Sequence, residues 1–241
     1  MKNSILALRS LFKRGQNNNI KILSLGVGLA MGLVLIAKIY FVYSYDSFYP
    51  DYDRIYQLQE KVSLKNEADK EYGQVSGAIA PGMKAEIPEV EAATRVDVQL
   101  GDCVFFDKEK NRFSAGFIFA DTAFFDVFPR LVLMGNVKET LGRPGYAIVS
   151  RTLAETIGKG ENVIGKSIQL DNFPGRIITI GAIFEDVPEN THLKYDAAIS
   201  MVSFKSFHQF DSTEGWLGSD RFLGYAKLAQ GVTPEMIAPS L

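Results

Sequence analysis

The sequence predicts an α+β fold: one N-terminal transmembrane helix, then a mixed α+β extracytoplasmic core domain in two lobes. Three observations predict it. Ile22 to Tyr43 form an apolar run long enough to cross a bilayer. The residues after it alternate short strand-like and helix-like segments without βαβ regularity. The chain has a single cysteine, Cys103, so no internal disulfide can hold the domain. Its 17 Phe and 10 Tyr, some of them in the apolar run, must supply a core by packing alone.

The run ILSLGVGLAMGLVLIAKIYFVY spans roughly 33 Å, against a hydrocarbon core of about 30 Å. Residues 1–45 hold six basic residues (Lys2, Arg9, Lys13, Arg14, Lys21 and Lys38) and no acidic one. Five of the six precede the run, a bias that keeps the N-terminus cytoplasmic. Tyr40, Phe41, Tyr43 and Tyr45 suit the headgroup layer at the far end. A cleavable signal peptide is the rival reading. Its apolar core would be shorter, about 7–15 residues, and would end in small residues instead of bulky aromatic ones. The expected organisation is a cytoplasmic basic amphipathic segment over 1–19, a transmembrane helix over 20–45, and an extracytoplasmic domain over 46–241. The membrane is the cytoplasmic (inner) one.

In the first segment Ile5, Leu8, Leu11 and Phe12 share a helical face, flanked by Lys2, Arg9, Lys13 and Arg14. That pattern suits the anionic cytoplasmic membrane surface, or equally a cytoplasmic partner. In the span, Ser24, Gly28 and Gly32 lie four apart and form a small-xxx-small strip through which another helix can approach. Small residues are also common in membrane helices at large. Lys38 sits near the outer end, where its ammonium can snorkel to the interface.

Beyond the span, Pro50-Asp51-Tyr52-Asp53 breaks the helix and Arg54 to Gln59 alternates like a strand. Asn66 to Glu71 reads as a hairpin tip, and Ala80 to Ile87 as a short helix ended by Pro88. Glu91 to Leu100, Val104 to Asp107 and Phe113 to Phe119 read as strands. Thr122 to Phe128 is an aromatic helix behind an Asp121 cap. Ala147 to Ser150 is a strand, and Arg151 to Ile157 a helix closed by Gly158. Ser167 to Leu170 and Arg176 to Phe184 are strands joined across an Asn-Phe-Pro-Gly turn. Tyr195 to Ser200 and Phe222 to Ala229 follow as strands, and Thr233-Pro234-Glu235-Met236 starts another helix.

After residue 45 the chain carries 20 basic and 28 acidic residues, a balance that excludes nucleic-acid binding by bulk charge. Gly160-Glu161-Asn162-Val163-Ile164-Gly165-Lys166-Ser167 fits the phosphate-binding pattern G-x-x-x-x-G-K-[ST]. That pattern works only between a strand and a helix whose N-terminus completes the phosphate nest. Here a helix precedes it and a strand follows, so ATP binding is not expected. His192 and His208 lack metal-ligand spacing and read as ordinary turn and surface residues. Cys103 reads as a small buried strand residue with no base beside it. Asp51/Asp53 and Glu185/Asp186 sit at turns, where carboxylates satisfy backbone donors. No cofactor, metal site or catalysis is expected.

Several motifs, in order along the chain, carry a family resemblance. Phe48-Tyr49-Pro50-Asp51-Tyr52-Asp53-Arg54-Ile55-Tyr56 follows the span. Ile87-Pro88-Glu89-Val90-Glu91, Ala120 to Phe128 and Ala147-Ile148-Val149-Ser150 come next. Asn162-Val163-Ile164-Gly165-Lys166 and Ile183 to His192 complete the series. Together they resemble the MacB-like periplasmic core domain of FtsX-type ABC transporter permeases over nearly the whole chain. The resemblance implies a first membrane helix that relays motion of a separate cytoplasmic ABC ATPase to the external domain. It implies sibling permease helices or a second permease copy as partners, and a periplasmic partner. It offers no catalytic residues. In contrast to the family, no further membrane spans follow within these 241 residues, and the external domain breaks off. The sequence is therefore expected to be a fragment of a longer permease or a truncated product. A free-standing membrane-anchored binding or sensing module is the alternative. An extracytoplasmic enzyme is a third reading, without a convergent polar site to support it.

Overall fold

The fold is described here from a computed structural model, for residues 18–63, 70–208, 210–218 and 221–240. The amphipathic segment expected before the span lies outside these residues, apart from the first positions of the helix itself. Most of the expected hairpin tip lies outside them too. Two compact units form, Met1–Phe48 and Tyr49–Leu241.

The first unit is dominated by helix α1, Asn18–Tyr43, 26 residues long, or about 39 Å. It is apolar on all sides and long enough to cross a membrane. Its C-terminal carbonyls are taken up locally. Ser44 N donates to Tyr40 O and Ser44 Oγ to Phe41 O at 2.7 Å, and Asp46 then turns the chain at φ 56°.

The second unit starts with a 3₁₀ turn, Tyr52–Arg54, and strands β1 (Ile55–Gln57), β2 (Glu60–Val62) and β3 (Lys70–Tyr72). Helix α2 (Ile79–Glu86), β4 (Val90–Asp107), β5 (Arg112–Ala120), α3 (Phe124–Val127), β6 (Val132–Gly135) and α4 (Val137–Leu141) follow. The remainder is β7 (Tyr146–Ser150), α5 (Arg151–Gly158), β8 (Ser167–Leu170), β9 (Ile177–Phe184), β10 (Ala197–Ser200), α6 (Phe204–Phe207), β11 (Leu223–Leu228) and α7 (Pro234–Ile237). β2 and β3 form a small antiparallel hairpin. The other nine strands form one sheet in the order β1-β11-β4-β5-β10-β7-β9-β6, with β8 pairing both β4 and β9.

The α+β class holds. The expected break between Leu100 and Val104 does not, because β4 runs unbroken through it. Gly101, at φ 56°, marks a register shift against β5 between Asp97 and Gly101. The extra residues bend the strand without ending it. This bend lets the far end of β4 pair with β5 on one side and β8 on the other. The pairings β4-β5-β10-β7-β9-β8-β4 therefore close a ring. Alternate residues of all six strands, among them Phe105, Phe117, Phe119, Val149, Ile168, Ile180 and Ile199, feed one core with α5 and α6. A second cluster packs Met83 and Ile87, beside α2's Ala80, and Ile237 of α7 on Val90, Ala226 and Leu228. Both cores share β4, so residues 49–241 form one compact unit where two lobes were expected.

Strand β6 and helices α4 and α6 are additions to the expected elements. β6 is an edge strand whose residues are all exposed, so it lacks the alternation that marks a half-buried strand. Helices α4 and α6 are too short for a periodic signal, although Asn136 caps α4 by accepting from Glu139 N. Asp121 does not cap α3 directly. It accepts from Ala123 N one residue earlier.

Candidate functional site

The candidate surfaces are the glycine strip of α1 and the start of the external domain, each built by its own unit. Ser24, Gly28 and Gly32 fall on one side of α1, and a Cβ on either glycine would meet nothing within 4 Å. The strip is open, as a face awaiting another helix would be.

At the start of the domain the chain is held by four charges. Arg54 bonds Glu91 at 2.6 Å and Asp51 at 2.9 Å, and also donates to Leu228 O. Lys227, nearly buried, reaches Asp51 at 2.9 Å and Glu91 at 3.2 Å. The hydrogen bonds from Lys227 and then Arg54 hold the Asp51 carboxyl below its ordinary range, and those from Arg54 and then Lys227 do the same for Glu91. β1 pairs β11 with Ile55 opposite Lys227, so the cluster fastens the first strand to the central sheet. Asp51, expected to satisfy backbone donors, serves instead as a bridge between two cations.

The phosphate-loop lookalike folds as its flanks require. α5 precedes it and β8 follows. Its amides are already engaged: Glu161 N on Gly158 O, Ile164 N on Asn162 Oδ1, Gly165 N on Ile180 O and Lys166 N on Val163 O. Lys166 Nζ lies 2.9 Å from Glu161. A phosphate nest needs those amides turned toward one point. Here they are spent on acceptors within the turn and, for Gly165, on β9.

Cys103 is buried in β4, and burial pushes its thiol up from the ordinary range. Among the described residues no group of three or more His, Cys, Asp and Glu is placed to hold a metal. Asp186 accepts from Thr152 N and Oγ1, and Glu185 faces Arg130 and Arg151. His192 is exposed at a bend, as expected, whereas His208 is half-buried. His192 Nε2 lies 2.8 Å from Tyr225 Oη within an aromatic cluster. His208 stacks on Phe204 at 3.9 Å, with Nδ1 3.2 Å from Phe204 O and Nε2 3.1 Å from Arg221. The arrangement suits a neutral ring that donates from Nδ1 and accepts at Nε2.

Burial lowers the pKa of His208, and the Arg221 charge adds to this. The unfolded chain then takes up a proton before the folded one does. Stability contributed by the neutral ring is complete above about pH 6.5 and falls as pH drops through and below that value. Melting the protein at about pH 7.5 and about pH 5.5 should show a loss on acidification. The loss should shrink in His208→Gln, and an equal loss in both proteins would contradict the assignment.

An apolar helix of membrane-spanning length joined to an α+β domain is the outline of a membrane-anchored protein. Residues 20–241 match the family model of the MacB-like periplasmic core domain, and the chain belongs to that family. A domain of a protein assigned as a permease in Porphyromonas gingivalis shares the fold, with a TM-score of 0.68 and 29% identity over 80% of this chain and 83% of that one. The periplasmic region of MacB from Actinobacillus actinomycetemcomitans is similar in fold, with a TM-score of 0.51 and 12% identity over 69% of this chain and 71% of that one. Among curated proteins none matches significantly.

Proposed function

We propose that the chain is the N-terminal part of an FtsX-type ABC transporter permease and acts as a mechanical relay. In this reading α1 crosses the inner membrane with its N-terminus cytoplasmic and is driven by a cytoplasmic ABC ATPase. The external domain follows the helix, and no residue of it performs chemistry. The observation that carries the reading is the ionic fastening of β1 by Asp51, Arg54, Glu91 and Lys227 directly after the helix. A tether needs no such fastening. A relay does, because displacement of the helix reaches the sheet only through a joint that resists extension. Family membership and the bias of basic residues toward the N-terminus support the same reading.

The strip Ser24, Gly28 and Gly32 is assigned to packing against sibling helices or a second copy. Leucine at these glycines meets no obstacle within α1 itself, so harm from it would report on a partner. The full-length permease should co-purify with an ABC ATPase and assemble normally, and Gly28→Leu/Gly32→Leu should impair that assembly. Absence of any ATPase from the unsubstituted protein would overturn the relay. Normal assembly of the variant would overturn the packing assignment alone.

A further inference from the structure

We propose that the loop over residues 210–217 is a docking surface for an amphipathic helix with basic flanks, carried by another extracytoplasmic protein. Phe210, Trp216 and Leu217 are 76%, 53% and 84% exposed. Three large apolar side chains so close together in one surface loop mark an interaction site, where scattered single ones would not. Trp and Phe are also enriched where proteins meet.

The exposure is built in, because the loop is fixed from below. Arg95 is buried, and its Nη1 donates to Gly77 O and Thr213 O. Gly77 has no room for a Cβ, since Ser212 O and Thr213 O fill the place. Ala78 N donates to Gly215 O at 3.0 Å, and Asp211 accepts from Thr213 N at 3.1 Å and Thr213 Oγ1 at 2.6 Å. The Trp216 ring lies across Gly82 of α2, where any Cβ would strike it. A backbone held at these points keeps Phe210 and Leu217 on the outside.

Phe210 and Leu217 line a cavity of about 500 Å³ together with His208 and Arg221. Its polar side chains are engaged, Arg221 with Asp97 and Gln99, and His208 with Phe204 O and Arg221. The occupant that gains most there is an apolar side chain. The loop backbone is spent on Ala78 and Arg95, so it offers no strand ladder. Recognition then falls to side chains, as for a helix laid in a groove. Residues 209–220 hold three acidic residues and no basic one. Asp211 faces Lys205 at 4.0 Å, but Glu214 stays exposed. Basic residues beside the helix's apolar stripe match that charge, and an anionic lipid surface does not. A second copy fits less well, because it would set like charges together. A stable homodimer also takes about 800 Å² from each copy, more than three side chains expose. The patch is independent of the relay reading.

Trp216 is the chain's sole tryptophan, so tryptophan fluorescence reads this patch alone. The full chain in phosphatidylcholine nanodiscs would be titrated with a Leu/Lys peptide patterned as an amphipathic helix and free of tryptophan. Trp216 emission should shift to the blue and saturate. A Ser/Lys peptide, which lacks the apolar stripe, and a Leu/Glu peptide, which reverses the flanks, should each bind at least about tenfold more weakly. Phe210→Ser/Leu217→Ser should weaken binding of the Leu/Lys peptide about tenfold at an unchanged melting temperature, because both side chains are exposed. No saturable shift up to about 1 mM peptide, or an equal shift in the variant, would overturn the proposal. A blue shift without peptide, on adding phosphatidylglycerol vesicles or in discs holding two copies instead of one, would assign the patch to lipid or to a second copy and overturn it too.

Discussion

Arg221→Ala should destabilise the external domain by about 3 kcal/mol, lowering its melting temperature by roughly 10 °C. Asp97 is fully buried in β4, and Arg221 Nε bonds its Oδ2 at 2.7 Å. Arg221 also donates to Gln99 Oε1 at 2.8 Å, lies over the Phe204 ring at 4.8 Å and reaches His208. Its loss leaves a buried carboxylate with Gln99 N as its remaining hydrogen-bond donor among the described residues. The cost belongs to the stranded charge more than to the broken bond. The double variant Asp97→Leu/Arg221→Met should therefore recover much of the loss. Thermal or denaturant unfolding of the three proteins checks this, and a double variant no better than Arg221→Ala would contradict it.

Arg54→Ala/Lys227→Ala should free β1 from the sheet without unfolding the domain. Both cations of the cluster are removed, and Asp51 and Glu91 then repel each other beside the β1–β11 pair. The two carboxylates left behind are exposed enough to be solvated, so global stability should change little. Local opening should respond more. Amide exchange at Ile55 to Gln57 should quicken about tenfold, while β5 and β10, in the ring, keep their protection. Exchange followed by mass spectrometry checks both parts. Acidification should mimic the substitution. The carboxyls of Asp51 and Glu91 are held below their ordinary range, so the fastening is complete above that range and is lost as pH falls through the lowered values.

The helix, the α+β class and most strands were legible in the sequence because they rest on local signals. The run from Ile22 to Tyr43 is apolar at every turn but one, and Ile177 to Phe184 is a near-continuous β-rich run behind a Pro-Gly turn. The helix before the phosphate-loop lookalike and the strand after it were legible for the same reason. The closure of the ring could not be read, because Gly101 looks the same in a bulge as in a break. β6 was hidden for a related reason: Leu131 to Met134 lie exposed on both faces, and period-two reading needs one buried face. The ionic cluster joins Asp51 and Arg54 to Glu91 and Lys227, far apart in sequence and paired only through β11. Asp97 with Arg221 and His208 was missed because burial, which gives these residues their roles, is set by packing.

The relay is tested most directly by following the external domain while the ATPase turns over. The full-length permease and its ATPase would be placed in lipid nanodiscs, with a donor dye on the exposed Lys108→Cys, Cys103 replaced by alanine, and acceptor dye on the lipid headgroups. The account predicts that ATP changes transfer efficiency in this protein. It predicts that Arg54→Ala/Lys227→Ala loses the change while hydrolysing ATP at a similar rate. An ATP-dependent change that persists undiminished in the variant, or none in the parent protein, would contradict it.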